Sequence, residues 1–241
     1  MSARFEELDY RPTPMGELIL RRRLEPRLGD REVYEVKLGD EFLMSSLFTV
    51  SEQALANLGL AAAGDADLDV VVGGLGLGYT AVAALAHDSV RELLVVDAMD
   101  AVIDWHQCEI VPNGAQLNRD DRCRLVHGDF FAFAAPGGPG FDPEQPERKF
   151  HAILLDIDHS PEKLLRAENA ALYTPEGLAH LASHLRPGGV FALWSDDEPE
   201  PEFQRRLEGV FETVDAQLVT FPNPLTESDS FSSVYVAVRS A

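Results

Sequence analysis

Two different patterns of apolar and polar positions divide the chain near residue 48. Before that point apolar and polar residues alternate, which is the pattern of a strand with one buried face. Gly-Asp turn signals separate the alternating segments, which are residues 16–23, 31–39 and 41–45. Residues 49–64 instead have helical spacing, with Ser51 as the expected N-cap and Gly64 as the stop. The sequence therefore predicts an N-terminal β module over residues 1–48, followed by a helix.

After residue 67 short apolar runs alternate with helical patterns. The predicted strands are residues 69–72, 91–99, 123–131, 151–159 and 189–197. The predicted helices are residues 79–87, 101–107, 174–185 and 201–211. Alternation of this kind predicts a mostly parallel sheet with helices on both faces, because parallel strands need crossover connections.

The last part of the chain breaks this alternation. Two more apolar runs, residues 216–221 and 232–239, are separated by a short segment that has two prolines and no helical period. We therefore expect them to pair antiparallel. The segment 136–147, rich in Pro and Gly, predicts a mobile surface loop. The expected fold is α/β: a Rossmann-like sheet of seven strands with an antiparallel last strand.

A glycine-rich turn follows the first strand of this sheet, in the segment DVVVGGLGLGYTA over residues 69–81. Read from Gly74, the pattern is the GxGxG turn of S-adenosylmethionine enzymes. Read from Gly76, it fits the dinucleotide fingerprint GxGxxA, with Asp97 about 20 residues further on as a ribose ligand. The Gly74 register lies closer to the strand end and favours S-adenosylmethionine, while NAD stays open as the alternative.

Composition limits the class of partner. The formal net charge is −21, so the surface repels nucleic acid backbones and anionic membranes and suits a small cationic or neutral substrate. Acidity that serves only solubility is the alternative. The two cysteines form no CxxC pair, and the charged N-terminus does not resemble a signal peptide. We expect no metal site, no membrane span and a cytoplasmic setting.

Several segments in order resemble the spermidine synthase-like (polyamine aminopropyltransferase) family, over nearly the whole chain. They are VVVGGLGLGYTAV, LLVVDAM, VHGDFFAF, FHAILLDIDHSP and ALYTPEGLAHLASHLRPGGVFALWS. The resemblance implies a homodimer in which an N-terminal β domain, residues 1–48, precedes a Rossmann-like domain, residues 49–241. It also implies a site between the two domains for an adenosyl-sulfonium cofactor and an amine.

The resemblance also implies roles for individual residues. Asp97 would bind the ribose and Asp129 the adenine, although Asp129 could instead be an ordinary helix N-cap. Asp156 falls at the position of the catalytic aspartate, which binds the amine and helps to remove its proton. The full cofactor-binding set is Gly74, Gly76, Gly78, Asp97, Ala98, Asp129 and Phe130. The substrate-binding set is Asp158, His159 and Tyr173.

Departures from the family pattern decide the expected reaction. Leu77 stands where the family has the aspartate that binds the free amine of decarboxylated S-adenosylmethionine. The family's YHE segment is replaced by VSEQ at residues 50–53, and the glutamine that fixes the polyamine tail has no counterpart. We therefore expect intact S-adenosylmethionine and, narrowly, methyl transfer to a small cationic acceptor. Aminopropyl transfer, an NAD-dependent oxidoreductase and a non-catalytic binding protein are the alternatives.

Two further segments have candidate roles. The acids in WSDDEPEPE, residues 194–202, could form a gate for a cationic substrate or a solvated helix entry. Trp105 and His106 could border the adenine or pack in the core.

Overall fold

A computed structural model describes residues 4–64, 67–226 and 228–241. The chain begins with a four-stranded antiparallel sheet in the order β1-β2-β3-β4. Its strands are β1 (Phe5–Thr13), β2 (Gly16–Glu25), β3 (Arg31–Leu38) and β4 (Glu41–Ser45). The predicted β module is therefore present, but the alternating pattern identified three strands and missed β1. Polar residues dominate β1, and its register shifts between Glu7 and Asp9.

Helix α1 (Val50–Ala63) follows this sheet and packs against a second sheet, which the rest of the chain forms. It ends before Gly64, as predicted. Its N-cap is Thr49 rather than the expected Ser51, which lies in the first turn and is 4 % exposed. The boundary of the predicted domains, residues 1–48 and 49–241, falls between β4 and α1, and the division into two domains stays a prediction.

The second sheet has seven strands in the order β10-β11-β9-β8-β5-β6-β7. The strands are β5 (Leu68–Gly73), β6 (Val90–Asp97), β7 (Cys123–His127), β8 (Phe150–Leu155), β9 (Leu185–Ser195), β10 (Thr213–Asn223) and β11 (Ser228–Val238). Strand β11 is antiparallel to both β9 and β10, and the pairs among β5 to β9 are parallel. The predicted α/β fold with an antiparallel last strand is confirmed.

Helices cover both faces of this sheet. They are α2 (Tyr79–Leu85), α3 (Asp100–Gln107), α4 (Gly114–Arg119), α5 (Phe130–Ala134), α6 (Pro175–Ser183) and α7 (Pro201–Glu208), with 3-10 turns at Pro26–Leu28 and Ala167–Ala171. Consecutive strand residues point to opposite cores: Val70 and Val72 pack with α1 to α4, whereas Val71 packs with α5 to α7. Both faces are buried, which explains why these strands read as continuous apolar runs. No helix of the described residues is long and apolar enough to cross a membrane.

The loop at residues 136–147 differs from the mobile excursion that its composition predicts. Phe141 is 1 % exposed and stacks on Phe130 with 4.8 Å between ring centroids. Asp142 is fully buried and pairs with Arg124 at 2.8 Å and Arg148 at 2.9 Å. Because a buried carboxylate is stable only when it is paired, these contacts anchor the loop to the sheet.

Candidate active site

One cavity of about 590 Å³ opens at the edge where the parallel strands of the second sheet end. The glycine turn, the first turn of α1, strand β4 and the β10–β11 hairpin all contribute to its wall. The carboxylates that line it are Glu52, Asp97, Asp129, Asp156, Asp196 and Asp229. Arg166 is the one Arg or Lys side chain among the described lining residues. Acidic side chains therefore outnumber basic ones in the described lining, and such a lining suits a cation.

The three glycines of the turn are packed so closely that their positions exclude a side chain. Gly74, Gly76 and Gly78 have φ values of +93°, +50° and +85°. A Cβ on Gly74 would lie 2.1 Å from the backbone oxygen of Asp156, and one on Gly76 would lie 2.8 Å from Sδ of Met44. The turn therefore contacts both the end of β8 and strand β4 of the N-terminal sheet. All three glycines line the cavity, as expected of a cofactor-binding turn.

Side chains behind the turn hold its carbonyl groups. Nε2 of the fully buried His106 lies 2.9 Å from the oxygen of Gly76, and Asn113 donates from Nδ2 to the oxygen of Leu77 at 2.9 Å. Trp105 donates from Nε1 to Asp9 at 2.6 Å and so joins α3 to β1. Neither Trp105 nor His106 lines the cavity, so the possibility that they border the adenine is corrected to a packing role.

Asp97 ends β6 and fastens the glycine turn to that strand. Its two carboxylate oxygens accept hydrogen bonds from the backbone N–H groups of Leu75 and Met99, each at 2.8 Å. Burial raises the pKa of Asp97, and the backbone donors oppose that rise. Asp97 and Ala98 both line the cavity, and their contact with a ribose stays a prediction.

Asp129 is the N-cap of α5 and also lines the cavity. As the N-cap of α5, its Oδ1 accepts from the N–H groups of Phe131 and Ala132 at 2.9 and 3.2 Å. Its Oδ2 pairs with Arg166 at 3.1 Å, and the residue lines the cavity together with Phe130. The N-cap is thus observed, and contact with an adenine stays a prediction.

Asp156 comes directly after β8 and faces the start of α2. Its Oδ2 accepts a hydrogen bond of 2.6 Å from Oγ1 of Thr80. Burial raises the pKa of Asp156 to about 6, against the opposing effect of the Thr80 hydrogen bond. A carboxylate with such a pKa is poised to exchange protons near neutral pH.

Glu52, in the first turn of α1, is the site residue that the sequence analysis missed. It lines the cavity, and its Oε2 accepts from Oγ of Ser51 at 3.1 Å. Burial and then the negative charge of Asp156 raise the pKa of Glu52 to about 7. Its position in the helix could have identified it from the sequence, because Glu52 lies on the same helical face as the buried Leu55 and Ala56. An acidic residue on the apolar face of a helix indicates either a buried ion pair or a binding site.

The expected substrate contacts of Asp158 and Tyr173 are corrected by their surroundings. Asp158 is 1 % exposed and accepts from Leu165 N at 2.8 Å, Asn169 Nδ2 at 2.9 Å and Tyr173 Oη at 2.8 Å. Tyr173 is also 1 % exposed, and neither residue lines the cavity. Together they fix the segment after β8. His159 does line the cavity, and its substrate contact stays a prediction.

Comparison with known proteins identifies the type of chain. No family model matches it. Polyamine aminopropyltransferase 2 of Pseudomonas aeruginosa is 30 % identical over 180 residues, which are 67 % of this chain and 45 % of that protein. The spermidine synthase of Thermotoga maritima superposes with a TM-score of 0.72 over 97 % of this chain and 72 % of its own, at 17 % identity. The chain therefore resembles the spermidine synthase-like family in its sequence and has the same fold.

A second solved structure has the same fold. It is a spermidine synthase in complex with the transition state analogue AdoDATO, with a TM-score of 0.70 and 17 % identity over the same shares of the two chains. The resemblance and the fold inferred from the sequence are thus confirmed. This spermidine synthase-like chain spans about half the length of the curated relative that it matches. Within the described residues, no group of three or more His, Cys, Asp or Glu side chains is arranged to hold a metal ion.

Proposed function

We propose that this spermidine synthase-like chain transfers an aminopropyl group from decarboxylated S-adenosylmethionine to a small amine. The observation that carries the proposal is the placement of Asp156 and Glu52, two acids with raised pKa values, in a cavity lined by carboxylates beside the glycine turn. The relative named polyamine aminopropyltransferase and the solved spermidine synthases support it.

The charge of the cavity fits both substrates. A sulfonium donor and a protonated amine are cations, and carboxylates stabilise cations most strongly where water is partly excluded. Once ionised, Asp156 can accept a proton from the bound ammonium, because its pKa of about 6 lies close to neutral pH. Binding of the cation stabilises the ionised carboxylate and so lowers that pKa.

The reaction needs one proton transfer and one displacement. The acceptor ammonium gives a proton to Asp156. The freed nitrogen lone pair then attacks the aminopropyl carbon that is attached to sulfur. The new C–N bond forms as the C–S bond breaks, and the bonding electron pair stays on sulfur, which becomes the neutral thioether of 5′-methylthioadenosine. The nitrogen then loses a second proton to solvent or stays protonated as a secondary ammonium. Because the sulfonium is already a good leaving group, the main contribution of the protein is positioning.

The order of strands suggests the direction in which the substrates lie. Asp97 and Asp129 follow β6 and β7 on one side of the glycine turn, and Asp156 follows β8 on the other side. Ligands of open α/β sheets bind across this edge. We place the adenosine towards β6 and β7, and the amine towards β8 and β9.

Methyl transfer from intact S-adenosylmethionine is the second candidate, and Leu77 is the observation that favours it. The named relatives give it no support. To separate the two reactions, the purified chain is incubated with putrescine and each donor in turn, and the nucleoside product is measured by mass spectrometry. We expect 5′-methylthioadenosine from the decarboxylated donor. Formation of S-adenosylhomocysteine from the intact donor, without that product, would overturn the proposal.

A matched variant shows whether the activity belongs to this site. Asp156→Asn keeps the shape of the side chain and removes the proton acceptor, so we expect turnover to fall by about 10²- to 10⁴-fold. Asn substitution at the exposed Asp215 of β10 is the control and leaves turnover unchanged. The expected homodimer and the cytoplasmic setting stay predictions, and light scattering of the purified chain tests the first of them.

A further inference from the structure

The donor of the proposed reaction presents a second charge that the cavity has to accommodate. Decarboxylated S-adenosylmethionine carries a primary ammonium three carbons from its sulfonium. A buried ammonium needs a carboxylate partner, because an unpaired charge is costly away from water. This requirement rests on the proposed function. One of the acids that line the cavity should therefore be placed to pair with this ammonium.

Two of these acids lie on the side of the glycine turn away from Asp156, and both already have hydrogen-bond partners. Asp97 accepts from two backbone N–H groups and is 6 % exposed. Asp129 accepts from the first turn of α5 and pairs with Arg166. Both follow strands on the β6 and β7 side of the sheet. Neither is placed to bind an aminopropyl chain that extends towards Asp156.

Two other acids lie far along the sheet edge. Asp196 follows β9 and Asp229 lies at the start of β11, which are two and three strand positions from β5. Since neighbouring strands are about 4.8 Å apart, these positions are roughly 10 and 14 Å from the glycine turn along the sheet. They belong to the acceptor side of the cavity.

The glycine turn itself supplies no acid. Leu75 and Leu77 are its two side chains, both are 3 % exposed, and both line the cavity. Met44 contacts the turn from the opposite wall, with its Sδ close to Gly76. The side chains at this point are therefore apolar, and a carboxylate for the ammonium has to come from another element.

Glu52 provides such a carboxylate. The hydroxyl of Thr80, the second residue of α2, lies 3.4 Å from the backbone oxygen of Glu52 and 2.6 Å from Oδ2 of Asp156. Glu52 therefore lies beside both the helix that follows the glycine turn and the reacting carboxylate. Among the described residues its carboxylate accepts from the hydroxyl of Ser51 and from its own backbone N–H. No other element of the described chain donates to it, so accepting capacity remains open to a ligand.

We propose that Glu52 binds the primary ammonium of the donor, while Asp156 binds the nitrogen of the acceptor. The two acids then have separate tasks: one orients the aminopropyl chain, and the other receives the proton. The first turn of α1 would thus make the site specific for a decarboxylated donor, because the carboxylate of an intact methionine chain would be repelled by Glu52.

Two stable nucleosides test this assignment by calorimetry. S-adenosyl-3-thiopropylamine has the ammonium and a neutral sulfur, whereas 5′-methylthioadenosine has neither the ammonium nor the propyl chain. We expect Glu52→Gln to weaken binding of the amine nucleoside at least 10-fold and to change binding of 5′-methylthioadenosine less than 2-fold. Glu52→Asp retains the charge and should keep part of the discrimination. Asp215→Asn, at an exposed acid of β10 that does not line the cavity, is the matched control and should change neither affinity.

The outcomes separate this inference from the proposed function. If the wild-type chain binds neither nucleoside, the proposed function fails and the role of Glu52 fails with it. If the wild-type chain binds both, and Glu52→Gln weakens both equally or neither, Glu52 does not bind the ammonium, although the proposed function stands. Circular dichroism of each variant confirms that a lost affinity does not come from unfolding.

Discussion

The hydroxyl of Thr80 donates a 2.6 Å hydrogen bond to Oδ2 of Asp156 and so links the first turn of α2 to the end of β8. The bond stabilises the ionised carboxylate and opposes the effect of burial, which raises the pKa of Asp156 to about 6. The pKa of this acid therefore reflects a balance between burial, which favours the protonated form, and one hydroxyl donor, which favours the ionised form.

Removal of that hydroxyl should move the pH dependence of the reaction. In Thr80→Val the carboxylate loses its donor, so its pKa rises and a higher pH is needed to ionise it. We expect the acid limb of a plot of kcat/KM against pH to shift upward by about 0.5 to 1 unit, with a smaller change at pH 9. The exposed Thr213→Val of β10 is the control and should leave the profile in place. An unshifted limb in Thr80→Val would show that Asp156 does not limit the rate.

The acid pair should also make the fold less stable as the pH rises. Burial and the charge of Asp156 raise the pKa of Glu52 from 4.5 to about 7, so between these values the folded chain binds more protons than the unfolded chain. The free energy of unfolding therefore falls as pH rises from about 4.5 to 7. We expect Glu52→Gln to raise Tm by a few degrees at pH 8 and to change it little at pH 4.5.

Differential scanning calorimetry at the two pH values measures this effect. Glu147→Gln is the control, because Glu147 is exposed and lies far from the pair in sequence, and it should leave Tm unchanged at both. An equal change in the Tm of Glu52→Gln at pH 4.5 and pH 8 would mean that the pKa of Glu52 is the same in the folded and the unfolded chain.

Two glycines with left-handed backbones should respond differently to alanine. Gly74 and Gly188 have φ values of +93° and +71°, so both substitutions strain the backbone by about 1–2 kcal/mol. At Gly74 the new Cβ would also lie 2.1 Å from the backbone oxygen of Asp156, whereas at Gly188 it would meet nothing within 4 Å. We expect Gly74→Ala to be several kcal/mol less stable than Gly188→Ala and to lose nucleoside binding. Chemical denaturation and calorimetry compare them, and similar stabilities would contradict the close packing of the turn.

The buried aspartate of the 136–147 loop should be a strong determinant of stability. Asp142→Ala removes the carboxylate that pairs with Arg124 and Arg148, and we expect a loss of about 3 kcal/mol. Limited proteolysis should then cut the loop, which the wild-type contacts protect. Glu144→Ala, at an exposed position of the same loop, is the control for the effect of a lost acid. Cleavage at equal rates in wild type and Asp142→Ala would show that the loop is mobile without the substitution.

The parallel sheet, and the sheet edge at which the candidate site lies, could be predicted from the sequence because both depend on local patterns. Apolar runs alternate with helical periods, and the carboxyl ends of parallel strands meet at one edge. Asp97, Asp129 and Asp156 each lie at or shortly after the end of a strand at this edge, and the resemblance to the family supplied their expected roles. The glycine turn was identified because its residues adjoin β5 directly.

Side chains whose position depends on distant contacts could not be predicted. Asp158 lies two residues from Asp156, yet its oxygens are taken by Asn169 and Tyr173, which come from a segment without a regular period. Glu52 enters the cavity because α1 packs across the second sheet, and no local pattern specifies that packing. The 136–147 loop is anchored by arginines from β7 and from the loop's own end, so composition alone gave the wrong expectation.

Several separate stretches of the chain build the walls of the cavity. The edge of the second sheet contributes residues between 74 and 131, between 156 and 169, and 194 and 196, whereas the opposite wall comes from residues 42–52 and from the β10–β11 hairpin. Under the proposed function that opposite wall contacts both substrates, because it contains Glu52 as well as the hairpin that carries Asp229. Substitutions in the hairpin would then alter which amine is accepted, whereas substitutions at Glu52 would alter which donor is bound. The β10–β11 hairpin is therefore the place to search for differences in acceptor choice.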